Sequence, residues 1–123
     1  MLLLIADIFY WIVILLHVYF AVLEMALWKK LAPKVFGMSR EFASQTAKLA
    51  SNQGLYNLFI VAALLLGYFS DSVEIGASFI LYGLGCVLVA GIWGGITVSR
   101  RIFFVQGVPA LIALGLRLAM AIQ

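Results

Sequence analysis

Glu24 and His17 are the acid–base side chains of the stretch LHVYFAVLEMALWKK, residues 16–30, which is otherwise mostly apolar. Such a stretch predicts a membrane-spanning helix, in which an ionisable residue is by default a candidate functional group. Glu24 lies four residues before Trp28, and therefore about 6 Å inside the end of that helix. His17 lies seven residues before Glu24, on the same helical face and two turns deeper. Both residues are candidates for catalysis by acid–base chemistry or for proton coupling.

Polar side chains of the other apolar segments are predicted at the same level as Glu24. Because an acidic residue at a helix centre costs roughly 2.5–3.5 kcal/mol on insertion, gathering polar groups inside the helix bundle keeps this cost lowest. The sequence therefore predicts a polar pocket at this end of the bundle. Trp93 lies deeper in its helix and is predicted either to wall the pocket or, as the favoured interpretation, to face lipid. The predicted ligand-binding residues are Asn52, Gln53, Tyr56, Asn57, Trp93, Thr97 and Gln106.

The role of Glu24 depends on its protonation state, which the sequence leaves open. Desolvation favours the neutral acid, whereas hydrogen bonds from amide and hydroxyl donors favour the carboxylate. The candidate donors are Asn57, Gln53, Tyr56 and Gln106. The alternative to a functional role is a structural one, in which Glu24 holds the helices together. A lone histidine on an apolar face is commonly a packed residue, so His17 is the weaker candidate.

Composition and segment length define the fold class. The chain has 123 residues, of which 66% are hydrophobic and 11% charged, a composition far too apolar for an ordinary soluble domain. Four apolar blocks cover about 2–28, 54–70, 75–99 and 102–122, each near the ~20 residues that cross a bilayer as a helix. The sequence predicts an all-α bundle of four transmembrane helices in one domain, residues 1–123. The first block does not resemble a signal peptide, because it lacks a basic start and a small-residue cleavage site.

Basic residues predict the orientation in the membrane. The first connection carries Lys29, Lys30, Lys34, Arg40 and Lys48, and the third carries Arg100 and Arg101. The second connection holds the acidic Asp71 and Glu74. The positive-inside rule therefore places the first and third connections in the cytoplasm and both termini outside. The basic residues flank helices, so anionic lipid headgroups are the expected contacts and nucleic acid is not. Asp7 and Arg117 are then both expected near the outer surface, where Arg117 can extend its guanidinium to the headgroups.

The connection of residues 31–54 has helical features of its own. Ser39 is a candidate N-cap and Glu41 lies in the first turn, where the helix dipole favours an acid. The segment is predicted either to cover the cytoplasmic interface or to extend the second helix, and the cover is the favoured interpretation.

Small residues of the third apolar block predict close helix packing. Cys86, Ala90 and Gly94 form one file, and Gly91, Gly95 and Ser99 form a second. Such files let membrane helices approach backbone to backbone, either within the chain, as we expect, or in a homodimer.

No cofactor or metal is predicted from the sequence. The glycines match neither a dinucleotide-binding fingerprint nor a P-loop. One histidine makes no internal bis-histidine haem site, and one histidine with one carboxylate is too few ligands for a metal. The single cysteine, Cys86, forms no internal disulfide and is expected to be a packing residue.

The chain also resembles DUF1304, a family of small four-helix bacterial membrane proteins of unknown function. The resemblance rests on HVYFAVLEMALW, on FG at 36–37, on ASNQGLYN, on LGCVLVAGIWGG and on VQGVPALIAL, and it spans nearly the whole chain. Ser51 is a departure, because the family pattern usually has alanine there. The resemblance implies the fold and a bacterial inner-membrane location, and it implies no activity. The residues that match the family pattern are His17, Glu24, Met25, Trp28, Asn52, Gln53, Gly54, Tyr56, Asn57, Gly91, Gln106, Gly107 and Pro109.

Three functional hypotheses follow. The first is that the polar pocket binds a membrane-soluble amphiphile and transforms it by acid–base chemistry at Glu24. The second is proton-coupled export of small hydrophobic compounds, because small multidrug transporters share the layout of four helices with one glutamate in the first. Against export, the polar groups gather in one leaflet, whereas alternating access needs a path to both sides. The third is an accessory membrane protein whose polar cluster is structural.

Overall fold

The computed structural model describes residues 1–121, which form four long helices. They are α1 (Leu2–Phe36), α2 (Arg40–Tyr68), α3 (Val73–Thr97) and α4 (Arg100–Ala121), each long and apolar enough to cross a membrane. No strand occurs within residues 1–121. The predicted all-α fold with four candidate membrane spans is therefore confirmed.

The first two helices are longer than predicted. α1 continues past residue 28 to Phe36, and Gly37 follows it with a left-handed backbone (φ 69°). α2 begins at Arg40, where the Ser39 Oγ accepts a hydrogen bond from the Phe42 N–H at 3.1 Å. Residues 40–53 are thus an extension of α2, the second of the two predicted alternatives, and residues 37–39 form a tight turn.

The extended ends of α1 and α2 pack against each other as a helical hairpin. Trp28 Nε1 donates to Thr46 Oγ1 at 3.1 Å, and the Trp28 and Phe36 rings lie 5.6 Å apart. α1 has 35 residues and is therefore about 52 Å long, whereas the hydrocarbon layer is about 30 Å thick. The hairpin therefore projects beyond the apolar part of the membrane.

The apolar core lies in the half of the bundle away from the hairpin. All four helices contribute to it, and its buried members are Tyr10, Val13, Ile14, Val61, Leu64, Leu84, Val87, Ala110 and Ala113. The buried Tyr10 hydroxyl donates to the Leu64 carbonyl oxygen at 2.6 Å, which satisfies its polar group and ties α1 to α2.

Glycines of α3 pack against α4. A Cβ built on Gly91 would lie 2.6 Å from the Gly107 backbone nitrogen, which is shorter than any ordinary contact. Gly94 and Gly95 face Ile102 and Phe103 in the same way. These three glycines, which come from both predicted files, therefore serve helix packing within the chain, whereas Ala90 of the first file is exposed.

Candidate functional site

Glu24 lies in a π-helical turn of α1, Leu23–Leu27, and is half-buried. A π-turn bonds each N–H one residue further back than an α-helix does, so it widens the helix by one residue. Leu27, the last residue of the turn, has φ −115° and ψ 3° and leaves the ordinary helical region. The turn sets the direction in which Glu24 leaves α1, and isolated π-turns occur frequently at functional sites.

Asn57 of α2 is the hydrogen-bond partner of Glu24. Its Nδ2 donates to Glu24 Oε2 at 2.7 Å, a short bond that joins residues 33 positions apart. A donor at this distance stabilises the carboxylate form and fixes the side-chain orientation. The prediction that the polar residues at the start of the second apolar block lie level with Glu24 holds for Asn57.

Gly54 allows α1 and α2 to approach closely beside this pair. A Cβ on Gly54 would lie 2.5 Å from Met25 Cγ and 3.2 Å from both the Ala21 carbonyl oxygen and Glu24 Cβ. Gly54 precedes Asn57 by three residues, so the two share a helical face. The segment SNQGLYN thus provides both the close approach and the hydrogen-bond donor at Glu24.

His17 is buried deeper in α1, with 3% of its surface exposed. Its Nδ1 lies 2.8 Å from the Val13 carbonyl oxygen. Since a carbonyl only accepts, Nδ1 carries the hydrogen and Nε2 is the acceptor of the neutral ring. Seven residues separate His17 from Glu24, which corresponds to about 10 Å along the helix. The structure shows no hydrogen bond between them within the described residues.

The other predicted ligand-binding residues make no hydrogen bond to Glu24 or Asn57 within residues 1–121, where the bond between Glu24 and Asn57 stands alone. Asn52, Gln53 and Tyr56 are exposed, and the Tyr56 ring packs edge-on against Phe59 with centroids 5.7 Å apart. Thr97 Oγ1 donates to the Trp93 carbonyl oxygen of its own helix at 2.7 Å. The predicted pocket that joins these residues to Glu24 and Asn57 therefore stays a prediction.

Trp93 and Gln106 occupy different surroundings. Trp93 is 68% exposed and faces away from the helices, as expected of a residue that contacts lipid. Gln106 is half-buried in a second π-turn, Phe103–Gly107, whose backbone contacts Gly91. Glu24 and Gln106 thus both lie in π-turns, a feature that the sequence does not predict.

An ion pair at the opposite end of the bundle joins α1 to α4. Arg117 Nη2 lies 2.5 Å from Asp7 Oδ1, and the guanidinium carbon lies 4.7 Å from the centroid of the Tyr10 ring. The sequence places both charges near the outer surface but does not pair them. The feature of the sequence from which this pair could have been predicted is that two opposite charges lie at similar depth in apolar helices.

The chemistry available to Glu24 and Asn57 is hydrogen bonding and proton exchange. Within residues 1–121, no three His, Cys, Asp or Glu side chains are close enough to hold a metal ion. The bond from Asn57 occupies Oε2 of Glu24, while carboxylate Oε1 and amide Oδ1 add acceptor capacity. The pair is suited to a group that donates hydrogen bonds.

Comparison with known proteins identifies a family. A comparison with curated proteins and one with solved structures gave no significant match. A family model described as "Protein of unknown function (DUF1304)" matches residues 11–118. This range contains His17, Glu24, Asn57 and Arg117, and covers most of the four helices. The chain therefore belongs to the DUF1304 family of proteins of unknown function.

Proposed function

We propose that this protein is a multi-pass protein of the bacterial inner membrane that binds a membrane-soluble amphiphile at Glu24. The observation that supports the proposal is the 2.7 Å hydrogen bond from Asn57 to Glu24. A half-buried acid held by a neighbouring helix is costly in a membrane protein, and such groups usually serve a function.

The depth of Glu24 favours an amphiphile over a soluble ligand. Glu24 lies 22 residues after Leu2, the first residue of α1, or about 33 Å along the helix axis. This distance is close to the ~30 Å thickness of the hydrocarbon layer. Glu24 therefore lies near the boundary between lipid tails and headgroups, where an amphiphile presents its polar end.

The chemistry of Glu24 and Asn57 defines the polar end of the ligand. A carboxylate and an amide carbonyl accept hydrogen bonds, so the matching head carries a hydroxyl or an amine. Met25, which follows Glu24, is 44% exposed and offers a flexible apolar contact for the tail. The proposed ligand is thus a hydroxyl- or amine-bearing amphiphile whose tail lies in the bilayer.

Binding is better supported than catalysis. General acid–base catalysis needs groups within hydrogen-bonding reach, about 2.6–3.2 Å, of the proton that moves. The Nδ1 of His17 is committed to Val13, and the ring lies about 10 Å from Glu24 along the helix. An acid–base step on the ligand would therefore depend on Glu24 without direct help from His17.

The proposed orientation places the hairpin in the cytoplasm and both termini outside. Five basic residues of the first connection are exposed on this hairpin, and those near the membrane are proposed to contact anionic headgroups. These residues are Lys29, Lys30, Lys34, Arg40 and Lys48.

Mass spectrometry of the molecules that co-purify in mild detergent tests the proposal. Wild type, Glu24→Gln and Glu74→Gln are compared, because Glu74 is an exposed acid at the other end of the bundle and provides a matched control. We expect a defined amphiphile with wild type and Glu74→Gln, and its depletion in Glu24→Gln.

Three other outcomes would contradict the proposal. The same bulk phospholipid in all three samples would remove the support for a binding site at Glu24. If Glu24→Gln instead abolishes uptake driven by a pH gradient in vesicles, without a bound amphiphile in wild type, proton-coupled transport replaces binding. If Glu24→Gln lowers only the melting temperature, the role of Glu24 is structural.

A further inference from the structure

A cavity of about 350 Å³ opens at the end of the bundle opposite to Glu24. It lies between the α2–α3 turn and the end of α4, and its lining includes Ser70, Ser72, Ile80, Arg117 and Leu118. The cavity thus combines one cation and two hydroxyl groups with apolar walls.

Arg117 retains unused hydrogen-bonding capacity. A guanidinium has five N–H donors, and the ion pair with Asp7 uses Nη2. Among the residues that the structure describes, Arg117 Nε is buried and has no hydrogen-bond partner. The buried Nε is closed to a ligand, so a bound oxygen-rich group would instead accept hydrogen bonds from the terminal N–H groups that the single bond to Asp7 does not use.

The position of the cavity indicates where such a group comes from. Helices α2, α3 and α4 end or begin beside it, so it lies at the membrane surface, at the level of the lipid headgroups. Its apolar side chains, among them Val73, Ile80 and Leu118, are suited to contact with lipid tails. We propose that this cavity binds the phosphate of an anionic membrane lipid through Arg117, independently of Glu24.

Asp7 has an opposite role in this site. Its carboxylate already pairs with the guanidinium and therefore competes with a bound anion for the same charge. Removing the negative charge at Asp7 strengthens anion binding, whereas removing the positive charge at Arg117 weakens it. If the ion pair were purely structural, the two changes would not have opposite effects on anion binding, because each breaks the same contact.

The test measures the ligand-induced shift in melting temperature of the full chain in detergent. The probes are dioleoyl phosphatidic acid, acetyl-dioleoylglycerol, which has the same tails but no phosphate, hydroxyl or amine, and inorganic phosphate. We expect stabilisation of wild type by phosphatidic acid, and little by the other two. Each variant's shift is measured relative to its own unliganded melting temperature. Arg117→Gln is expected to bind phosphatidic acid roughly tenfold more weakly, because it loses one charged hydrogen bond. Asp7→Asn is expected to bind it more tightly.

Controls separate this site from Glu24 and from general destabilisation. Glu24→Gln and Glu41→Gln keep the wild-type shift, since neither residue lines the cavity. If Arg117→Gln fails to fold, Ala77→Trp replaces it. Ala77 also lines the cavity, so the indole ring fills the cavity while the ion pair is kept, and this variant too loses the shift. Equal shifts with phosphatidic acid and acetyl-dioleoylglycerol, an equal shift with inorganic phosphate, or weaker binding in both Asp7→Asn and Arg117→Gln would each overturn the proposal.

Discussion

The Nδ2 of Asn57 and the Oε2 of Glu24 lie 2.7 Å apart and connect α2 to α1 within a membrane protein. At the other end of the bundle, Asp7 of α1 pairs with Arg117 of α4. The membrane-spanning part of α1 therefore carries an acidic residue near each of its ends, and each is held by a different neighbouring helix. Between them lie residues 8–23, more than four helical turns, which are apolar or aromatic except for the buried His17.

The hydrogen bond to Glu24 predicts different effects at two asparagines of α2. Asn57→Ala leaves the half-buried Glu24 without its donor and is expected to lower the free energy of unfolding by about 1–3 kcal/mol. Asn52→Ala is the matched control, because Asn52 is exposed, and little change is expected. Thermal melting in detergent compares the two variants, and equal destabilisation would show that the bond contributes nothing particular.

Close helix packing at Gly91 is predicted to reverse the usual stabilising effect of a glycine-to-alanine change in a helix. Alanine normally favours a helix over glycine by about 1 kcal/mol. At Gly91, however, the new methyl group would meet the Gly107 backbone nitrogen at 2.6 Å, where no flexible side chain can yield. Gly91→Ala is therefore expected to lower the melting temperature.

Gly85 of the same helix is the matched control for Gly91. A Cβ there meets nothing within 4 Å, so Gly85→Ala should be neutral or slightly stabilising. If Gly85→Ala also destabilises the protein, or disrupts a dimer seen by size-exclusion chromatography, α3 has a contact outside the chain. That outcome would favour the alternative in which the small residues of α3 form a homodimer contact.

The four membrane spans could be predicted because a long run of apolar residues identifies a spanning helix. Helices that continue outside the membrane have no such hydropathy signal. The apolar blocks gave four spans, but Trp28–Phe36 and residues 40–53 are rich in polar and charged residues. Their helical structure depends on the Ser39 cap, the Gly37 turn and contacts such as Trp28 with Thr46. The alternative of an extended helix was recognisable from Ser39, but hydropathy could not select it.

The depth of the polar residues along their helices could be predicted from the sequence, but the neighbour that each side chain faces could not. Glu24 and Asn57 were predicted at one level, and the structure joins them. Thr97 was predicted there too, yet it bonds to its own helix. Trp93 was predicted deeper, and its outward face agrees with the favoured of its two interpretations. Which face of a helix meets a neighbour depends on the packing of all four helices and on π-turns, and a single sequence records neither.

The ion pair between Asp7 and Arg117 predicts strong coupling between the two positions. Asp7→Asn and Arg117→Gln each leave one charge partly buried without its partner, since the side chains are 30% and 18% exposed. Each single change is expected to cost about 1–3 kcal/mol of stability. The double variant removes both charges and should cost less than the sum of the two single changes.

A double-mutant cycle of thermal or denaturant stability in detergent measures this coupling. Tyr10→Phe belongs beside it, because the Tyr10 ring lies under the guanidinium while its hydroxyl bonds to Leu64. That variant keeps the ring and should lose only about 1 kcal/mol for the hydrogen bond. Strictly additive effects of Asp7→Asn and Arg117→Gln would show that the pair contributes no interaction energy.

The proposed orientation predicts which single cysteines a membrane-impermeant thiol reagent reaches in intact cells. In a Cys86→Ser background, Ser44→Cys lies on the exposed hairpin and Val73→Cys at the exposed start of α3. The positive-inside rule places the hairpin in the cytoplasm, so only Val73→Cys should react until the cells are opened. Labelling of Ser44→Cys alone would invert the bundle and place Glu24 in the outer leaflet, where its ligand would reach it from the opposite side of the membrane.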